Sequence, residues 1–285
     1  ELKAARRART SSPHASAMAG RHVGLLFEKP SLRTRVTFTI GVEELGGSVV
    51  DIPSDVMHAD REPLHDVARN LERWVDAVVI RTFAQKRLSI FTESAPALRI
   101  VNALSDEEHP CQALADMQTL QERWGSVEGR TITFVGDGNN VATSLVHAGL
   151  MLGAHMRIAT PKGYGLPDET AAVAERLAQK GATFRQYVDV KDAVKGADAI
   201  YTDVWTSMGQ EVEYAERTKI FTRYQVNEAL MARANPGALF MHCLPAHRGQ
   251  EVTDEVLESS ISVAFDQAEN RLHAQKAMLV TLFGG

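Results

Sequence analysis

Short apolar runs alternate with stretches of helical spacing along most of the chain. Val23 to Phe27 is a continuous apolar run of buried-strand length, closed by Pro30, and Val36 to Leu45 then carries helical spacing. Gly46-Gly47 marks a turn, and Ser48 to Ile52 reads as a second strand. Leu64, Val67, Ala68, Leu71 and Trp74 share one helical face; Ala77 to Ile80 is a strand ending at Arg81. A further helix leads to a strand over Ile100 to Ala103, and Pro110 to Trp124 reads as one long helix. The pattern restarts after Gly125 to Gly129. Strands are predicted over Thr131 to Gly136, His155 to Ala159, Thr183 to Tyr187, Ala199 to Thr202 and Leu239 to His242, with helices over Gly138 to Leu152 and Glu169 to Lys180. Ser262 to Phe265 is expected as an edge strand. A final helix over Asn270 to Leu282 has no new strand to serve and is expected to pack back on the first domain. This alternation predicts an α/β protein of two domains, each a parallel sheet flanked by helices, joined by a long interdomain helix and a returning C-terminal helix. The expected first domain is 1–123 with the helix 270–285, and the second is 124–269.

Composition narrows the class. The chain has 285 residues, 44% hydrophobic and 24% charged, enough for two cores. A net charge of -5 gives no reason to expect nucleic acid or an anionic membrane as partner. Cys111 and Cys243 are the only cysteines, which makes no disulfide framework and suggests a reducing compartment, the cytoplasm. No apolar run is long enough to span a bilayer. Glu1 to Arg9 lacks the apolar core of a signal peptide and reads as the tail of a longer helix. Thr10 to Gly20 reads as a loop, and Pro53 to Pro63 as a polar, irregular, flexible one.

Ligands of open parallel sheets bind beyond the carboxyl ends of the strands. In the first half those ends carry Ser31, Arg33 and Thr34, then Arg81, then His109-Pro110-Cys111-Gln112. Ser31, Arg33 and Thr34 fall where a strand turns into a helix, so unpaired backbone N–H groups, hydroxyls and the guanidiniums of Arg33 and Arg35 would together suit phosphate. A Ser-capped helix with solvated arginines fits those residues equally well. In the second half the strand ends carry Asp137-Gly138-Asn139-Asn140, Asp203 to Gly209 and His242-Cys243-Leu244-Pro245. One set is cationic; the other is carboxylate, amide, hydroxyl and thiol. The division suggests an anionic substrate on one domain and a cationic amine on the other, meeting in the cleft. Taken singly, Arg81 could pair with a surface carboxylate, His109 could cap a helix, Asp137 could belong to an ordinary turn, Asp203 could cap one, and Cys243 could be a small core residue. The run G-D-G-N-N-V lacks dinucleotide-fingerprint spacing, and the cysteines and histidines lack zinc-finger spacing. No metal and no NAD site are expected.

Four segments in order, SLRTR, HPCQALAD (His109 to Asp116), DVWTSMGQE (Asp203 to Glu211) and HCLPAHRGQEV (His242 to Val252), resemble the transcarbamylase family. DVWTSMG with HCLP is similar to the ornithine branch rather than the aspartate branch. The resemblance covers Phe27 to Leu279. It implies transfer of a carbamoyl group from carbamoyl phosphate to the side-chain amine of L-ornithine, giving L-citrulline and phosphate, with no cofactor. It also implies a homotrimer whose active sites are completed by a neighbouring subunit. By the resemblance, Ser31, Leu32 (through its backbone), Arg33 and Thr34 hold phosphate, while Arg81, His109 and Gln112 grip the carbamoyl end. Cys243, Leu244 and Arg271 complete that pocket, and Asn140, Asp203, Ser207 and Met208 bind ornithine. Arg81, His109 and Cys243 are the expected catalytic residues. Cys243 would contact substrate without forming a covalent intermediate, and Ser207-Met208-Gly209 would sit on a closing loop.

One position departs from the pattern. The family commonly places Gln or His where Met57 aligns, reaching a phosphate in the adjacent subunit, and a thioether cannot donate a comparable hydrogen bond. His58 would substitute if the loop shifts by one residue. A sister enzyme for another amine, putrescine or an acylated ornithine, is the main alternative; Asp203 argues against putrescine, which has no α-amino or α-carboxylate group. A non-catalytic homologue would have no physical need for intact Arg33, Arg81, His109 and Cys243.

Overall fold

The computed structural model describes residues 1–12, 14–58, 62–206 and 211–284. The chain divides into two compact units, Glu1–Cys111 with Glu269–Gly285, and Gln112–Ala268. Both are built on parallel sheets.

Unit 1 opens with the short helix α1 (Leu2–Ala8), then β1 (His22–Phe27), α2 (Leu32–Glu44) and β2 (Ser48–Ile52). A 3-10 turn over Ser54–His58 leads to α3 (Leu64–Trp74), β3 (Ala77–Arg81), α4 (Gln85–Ser94) and β4 (Arg99–Leu104). Strand order is β2-β1-β3-β4, all parallel. The helix α5 (Pro110–Trp124) starts in this unit and continues in unit 2, and α12 (Ala264–Leu282) starts in unit 2 and returns. Leu279 and Val280 of α12 join a core made by Met18, Leu25, Phe38, Val42 and Val101. Lys276 pairs with Glu44 at 2.7 Å, fixing the returning helix to α2.

α2 starts four residues before its apolar periodicity does. Ser31 explains this: its backbone is extended and its hydroxyl accepts from Thr34 N–H at 3.3 Å, capping the helix upstream of Val36. Met57 is 1% exposed and packs with Leu26, Val67, Leu71 and Ile80, while His58 is exposed. The apolar side chain is thus spent on the core, and the imidazole next to it faces outward.

Unit 2 continues with β5 (Thr131–Val135), α6 (Asn140–Met151), β6 (His155–Ala159), α7 (Asp168–Leu177), β7 (Phe184–Tyr187), α8 (Val190–Val194) and β8 (Ala199–Thr202). Further along come α9 (Tyr214–Phe221), α10 (Glu228–Met231), β9 (Leu239–His242) and α11 (Asp254–Leu257). Strand order is β7-β6-β5-β8-β9, again all parallel. α6 packs on one face with Ile132, Phe134, Met156 and Tyr201; α8 and α10 cover the other with Val135, Ile200 and Phe240.

The expected edge strand at Ser262 to Phe265 is not formed. Ser262 makes a single isolated bridge to Phe240, and Ala264 already opens α12. The apolar run Val263-Ala264 reads as strand, but both residues are buried at a helix start. The last helix accordingly begins at Ala264 rather than Asn270.

Because Met57 is a core residue, Met57→Gln places an amide in apolar surroundings. The expected cost is about 1–3 kcal/mol in urea denaturation. Unchanged or raised stability would show that the position is not packed as described.

Candidate functional site

Each sheet reverses its winding once, between β1 and β3 in unit 1 and between β5 and β8 in unit 2. At such a switch the connections leave in opposite directions and open a crevice beyond the carboxyl ends. Several of the residues singled out from sequence follow the strands at or beside these two points.

In unit 1, β1 and β3 end in register, Phe27 opposite Arg81, and Glu28 N–H donates to the Arg81 carbonyl at 2.8 Å. The buried Glu28 carboxylate accepts from Thr82 and from Arg87, tying the two strand ends together. Ser31 to Arg33 then form the start of α2, where the Leu32 and Arg33 amides lack helical partners. The Leu32 side chain is 75% exposed. Thr34 is buried, and its hydroxyl accepts from Arg271 at 3.1 Å. Arg271 is itself buried on α12. Arg35 does not join the group: it pairs with Asp51 and lies over the Phe27 ring at 4.8 Å.

His109 is buried, and burial together with the nearby positive charges of Arg271 and Arg81 holds its pKa well below the usual histidine value. It is therefore a neutral imidazole next to two guanidiniums. Cys111 is buried too; its thiol, pushed up to about 11 by burial, donates to the Asn102 carbonyl at 3.4 Å. That is a packing role. Gln112 opens unit 2, with its amide donating to Asp116 at 2.8 Å. Asp116 also accepts from Gln267 at 2.8 Å.

In unit 2, Asp203 follows β8 and is 7% exposed. Three donors converge on its carboxylate: Val204 N–H at 2.8 Å, Cys243 Sγ at 3.0 Å and Asn139 Nδ2 at 2.9 Å. Asn139 caps α6 as well, its Oδ1 accepting from Val141 and Ala142 N–H. Asn140, the first residue of α6, is half-buried beside it. Asn139, which the sequence offers only as a neighbour of Asn140, is the amide that reaches Asp203. The glycine between Asp137 and Asn139 has a steric cause: a Cβ on Gly138 would lie 2.6 Å from the Gly165 carbonyl carbon and 2.7 Å from the Tyr164 oxygen. Asp137 is paired with buried Arg217, whose Nε donates to the Trp205 carbonyl at 2.6 Å. Burial nonetheless raises the Asp137 pKa against that attraction. Ser207 and Met208 lie outside the described residues.

The segment carrying Cys243 and Leu244 is fixed by a network that sequence reasoning missed. Leu244 has φ of 59° and a cis bond to Pro245. Its N–H donates to His242 Nδ1 at 2.8 Å, which places the His242 proton on Nε2, 3.2 Å from Glu251 Oε1. Glu251 also accepts from His247 N–H at 2.5 Å, and both Glu251 and His242 are fully buried. A glutamate nine residues beyond the histidine gives no periodic signal, so only its place within the HCLPAHRGQEV segment hinted at it.

Asp203, His242 and Cys243 bring ligand-type atoms within 4.8 Å of one another. The set suits a metal poorly, because both His242 nitrogens are engaged and the other two residues bond to each other.

Two tests follow from these contacts. Glu251→Ala strands the buried His242 donor and frees the His247 N–H, and is expected to cost about 1–3 kcal/mol. Glu251→Gln keeps the accepting oxygen, so it should cost less; equal losses in urea denaturation would contradict the network. For His109, the unfolded chain binds a proton below about pH 6.5 that the folded chain refuses. Stability should therefore fall as pH drops below that value, and His109→Gln should flatten the fall in thermal unfolding measured from pH 7 to 5. An unchanged slope would place His109 in a solvated setting.

Comparisons with known proteins place the chain in a family. Residues 1–122 match the aspartate/ornithine carbamoyltransferase carbamoyl-P binding domain, and 128–282 match the Asp/Orn binding domain of the same family. An ornithine carbamoyltransferase of Synechocystis is 50% identical over 263 residues, 92% of this chain and 85% of its own. The solved ornithine carbamoyltransferase of Pyrococcus furiosus is similar at a TM-score of 0.94 and 46% identity, covering 100% of this chain and 90% of that one. An N-acetyl-L-ornithine transcarbamylase structure shares the fold at a TM-score of 0.86 but only 29% identity, over 98% of this chain and 93% of that one. With both domain types present in order, and half of 263 aligned positions identical to a relative, the chain belongs to the aspartate/ornithine carbamoyltransferase family.

Proposed function

We propose that this chain is an ornithine carbamoyltransferase, transferring the carbamoyl group from carbamoyl phosphate to the side-chain amine of L-ornithine to give L-citrulline and phosphate. The observation that carries the reading is the chemical division of the two switch points. One gathers Arg33, Arg81, Arg271 and a neutral His109 around a capped helix start; the other offers a carboxylate held by three donors. Carbamoyl phosphate needs the first, and an α-amino acid bearing a second amine needs the second.

In the proposed reaction the amine arrives unprotonated and its nitrogen attacks the carbamoyl carbon. The carbon–oxygen bond to phosphate breaks, phosphate leaves with the bonding pair, and the amine loses a proton. Ser31, the Leu32 and Arg33 amides, the Arg33 guanidinium and Thr34 would hold the phosphate as its charge grows. Arg271, bonded to the Thr34 hydroxyl, would orient that group. Arg81 and His109, with Gln112, would stabilise the developing carbonyl oxyanion. A neutral imidazole suits this task, since it donates a hydrogen bond without adding a third charge. Asp203 would take the ornithine α-amino group, with Asn140, Ser207 and Met208 along the chain and Leu244 and Cys243 closing the pocket. The Cys243 thiol donates to Asp203, a contact that uses its proton and supports a binding role over a nucleophilic one. Alignment of the bound pair would supply roughly 7–11 kcal/mol of the barrier reduction.

The finer assignments are a cytoplasmic homotrimer with shared active sites, and His58 as the residue offered to a neighbouring subunit. Burial of Met57 beside an exposed His58 supports that choice. Among the described residues no helix is long and apolar enough to cross a membrane.

Citrulline formation tests the proposal directly. The wild type should use L-ornithine in preference to N-acetyl-L-ornithine, and Arg81→Ala should lower kcat by about 100-fold or more, the scale of one lost oxyanion donor. Full activity in Arg81→Ala would remove Arg81 from the reaction. His58→Ala should raise the KM for carbamoyl phosphate with little effect on the ornithine KM; an unchanged carbamoyl phosphate KM would remove His58.

A further inference from the structure

Strands of a parallel sheet are ordinarily buried on both faces. In unit 2 one face breaks this rule. Register places Thr131 beside His155, Thr133 beside Arg157, and Arg157 beside Arg185. Residues two apart share a face, so hydroxyls, an imidazole and two guanidiniums make up the amino-terminal half of it. The opposite face, with Ile132, Phe134, Met156 and Ile158, is core.

α8 covers only part of the polar face. Its end is held by Thr133 Oγ1 to the Ala193 carbonyl at 3.1 Å, and by one Arg157 nitrogen to the Ala193 and Lys195 carbonyls at 3.0 and 2.7 Å. Beyond it lies a pocket of about 240 Å³ lined by Thr131, His155, Arg157, Thr183 and Arg185. No carboxylate lines it. Asp198, whose carboxylate accepts from Thr131 N–H at 2.8 Å, also accepts from Asn235 at 3.1 Å and lies 3.5 Å from Arg130. Among the described residues, neither Arg157 nor Arg185 makes an ion pair. His155 Nδ1 bonds Thr183 Oγ1 at 3.0 Å, which sets the ring orientation and leaves Nε2 uncommitted.

The pairing of Arg157 with Arg185 is the telling feature. Like charges directly opposite on neighbouring strands repel and destabilise a sheet. A solvated polar face would be served as well by threonines. Two guanidiniums in register are relieved by an anion that bridges them, and a tetrahedral oxyanion matches their forked donors while the imidazole and hydroxyls take its remaining oxygens.

We propose that this pocket binds a phosphate-bearing anion, at a site separate from the substrate residues of the same unit. It lies at the amino ends of β5, β6 and β7, whereas Asn139 follows the carboxyl end of β5 and Asp203 that of β8. The shared chemistry covers free phosphate and the phosphate of a small organic ester.

The test follows histidine ring signals in the full chain labelled at histidine Cε1, with the His155 signal assigned by His155→Gln. Inorganic phosphate is titrated against potassium chloride at matched ionic strength. The His155 signal should move saturably with phosphate and stay still with chloride. Arg185→Gln, a change at an exposed side chain, should weaken that response about 10-fold or more, as expected for one lost charge-assisted contact, and leave citrulline formation unchanged. The His109 signal reports phosphate at the proposed catalytic site independently, so failure at one site is distinguishable from failure at the other. Adenosine 5′-monophosphate in place of phosphate separates the sources: tighter binding assigns an organic ester, equal or weaker binding the free anion, and either supports the site. An equal chloride response, a drift that never saturates, or an Arg185→Gln affinity equal to wild type overturns it.

Discussion

The reversal of strand order is the constraint on which both proposed substrate sites depend. Right-handed crossovers put successive helices on one face of a parallel sheet until the winding direction changes. At that change the loops part, and side chains at the carboxyl ends gain room to meet a ligand. Here each reversal lies between neighbouring central strands, β1 with β3 and β5 with β8. Central strands are the most firmly held, so the residues that follow them inherit fixed positions. Arg81 stands opposite Phe27 by register alone, and Asp203 comes directly after β8, the neighbour of β5.

Around these positions most polar groups are already paired. Asp203 accepts from a backbone amide, a side-chain amide and a thiol before any substrate arrives. Thr34 is oriented by Arg271, and the turn holding Cys243 and Leu244 is braced by His242 and Glu251. Such pairing locks rotamers, which lets binding free energy act on the substrate rather than on ordering the protein. His109 shows the same economy in charge. Set beside two guanidiniums and out of water, it stays neutral and can donate without repelling them.

The fold was legible because buried parallel strands read as short apolar runs and their helices as periodic ones. Leu64–Trp74, Ala77–Arg81 and Pro110–Trp124 formed where the pattern placed them. The errors lie where a different signal governs. A serine cap, not apolar spacing, starts α2, and Val263-Ala264 packs as a helix start though its composition suits a strand. The charged and hydroxylic residues at strand ends stood out once topology was assumed. Their supports did not: Asn139 reaches Asp203 across 64 positions and Arg217 reaches Asp137 across 80, separations that no local pattern encodes. Arg35 is the converse case, a cation in the right segment that the structure commits to Asp51.

The division of labour between the two switch points is open to one direct measurement, the pair of Michaelis constants in Asp203→Asn. That change keeps the shape of the side chain and removes the charge proposed to hold the ornithine α-amino group. The ornithine KM should rise by about 10-fold or more, as for one lost charge-assisted bond, while the carbamoyl phosphate KM stays near wild type. An ornithine KM that does not move, or a carbamoyl phosphate KM that rises as far, would contradict the account.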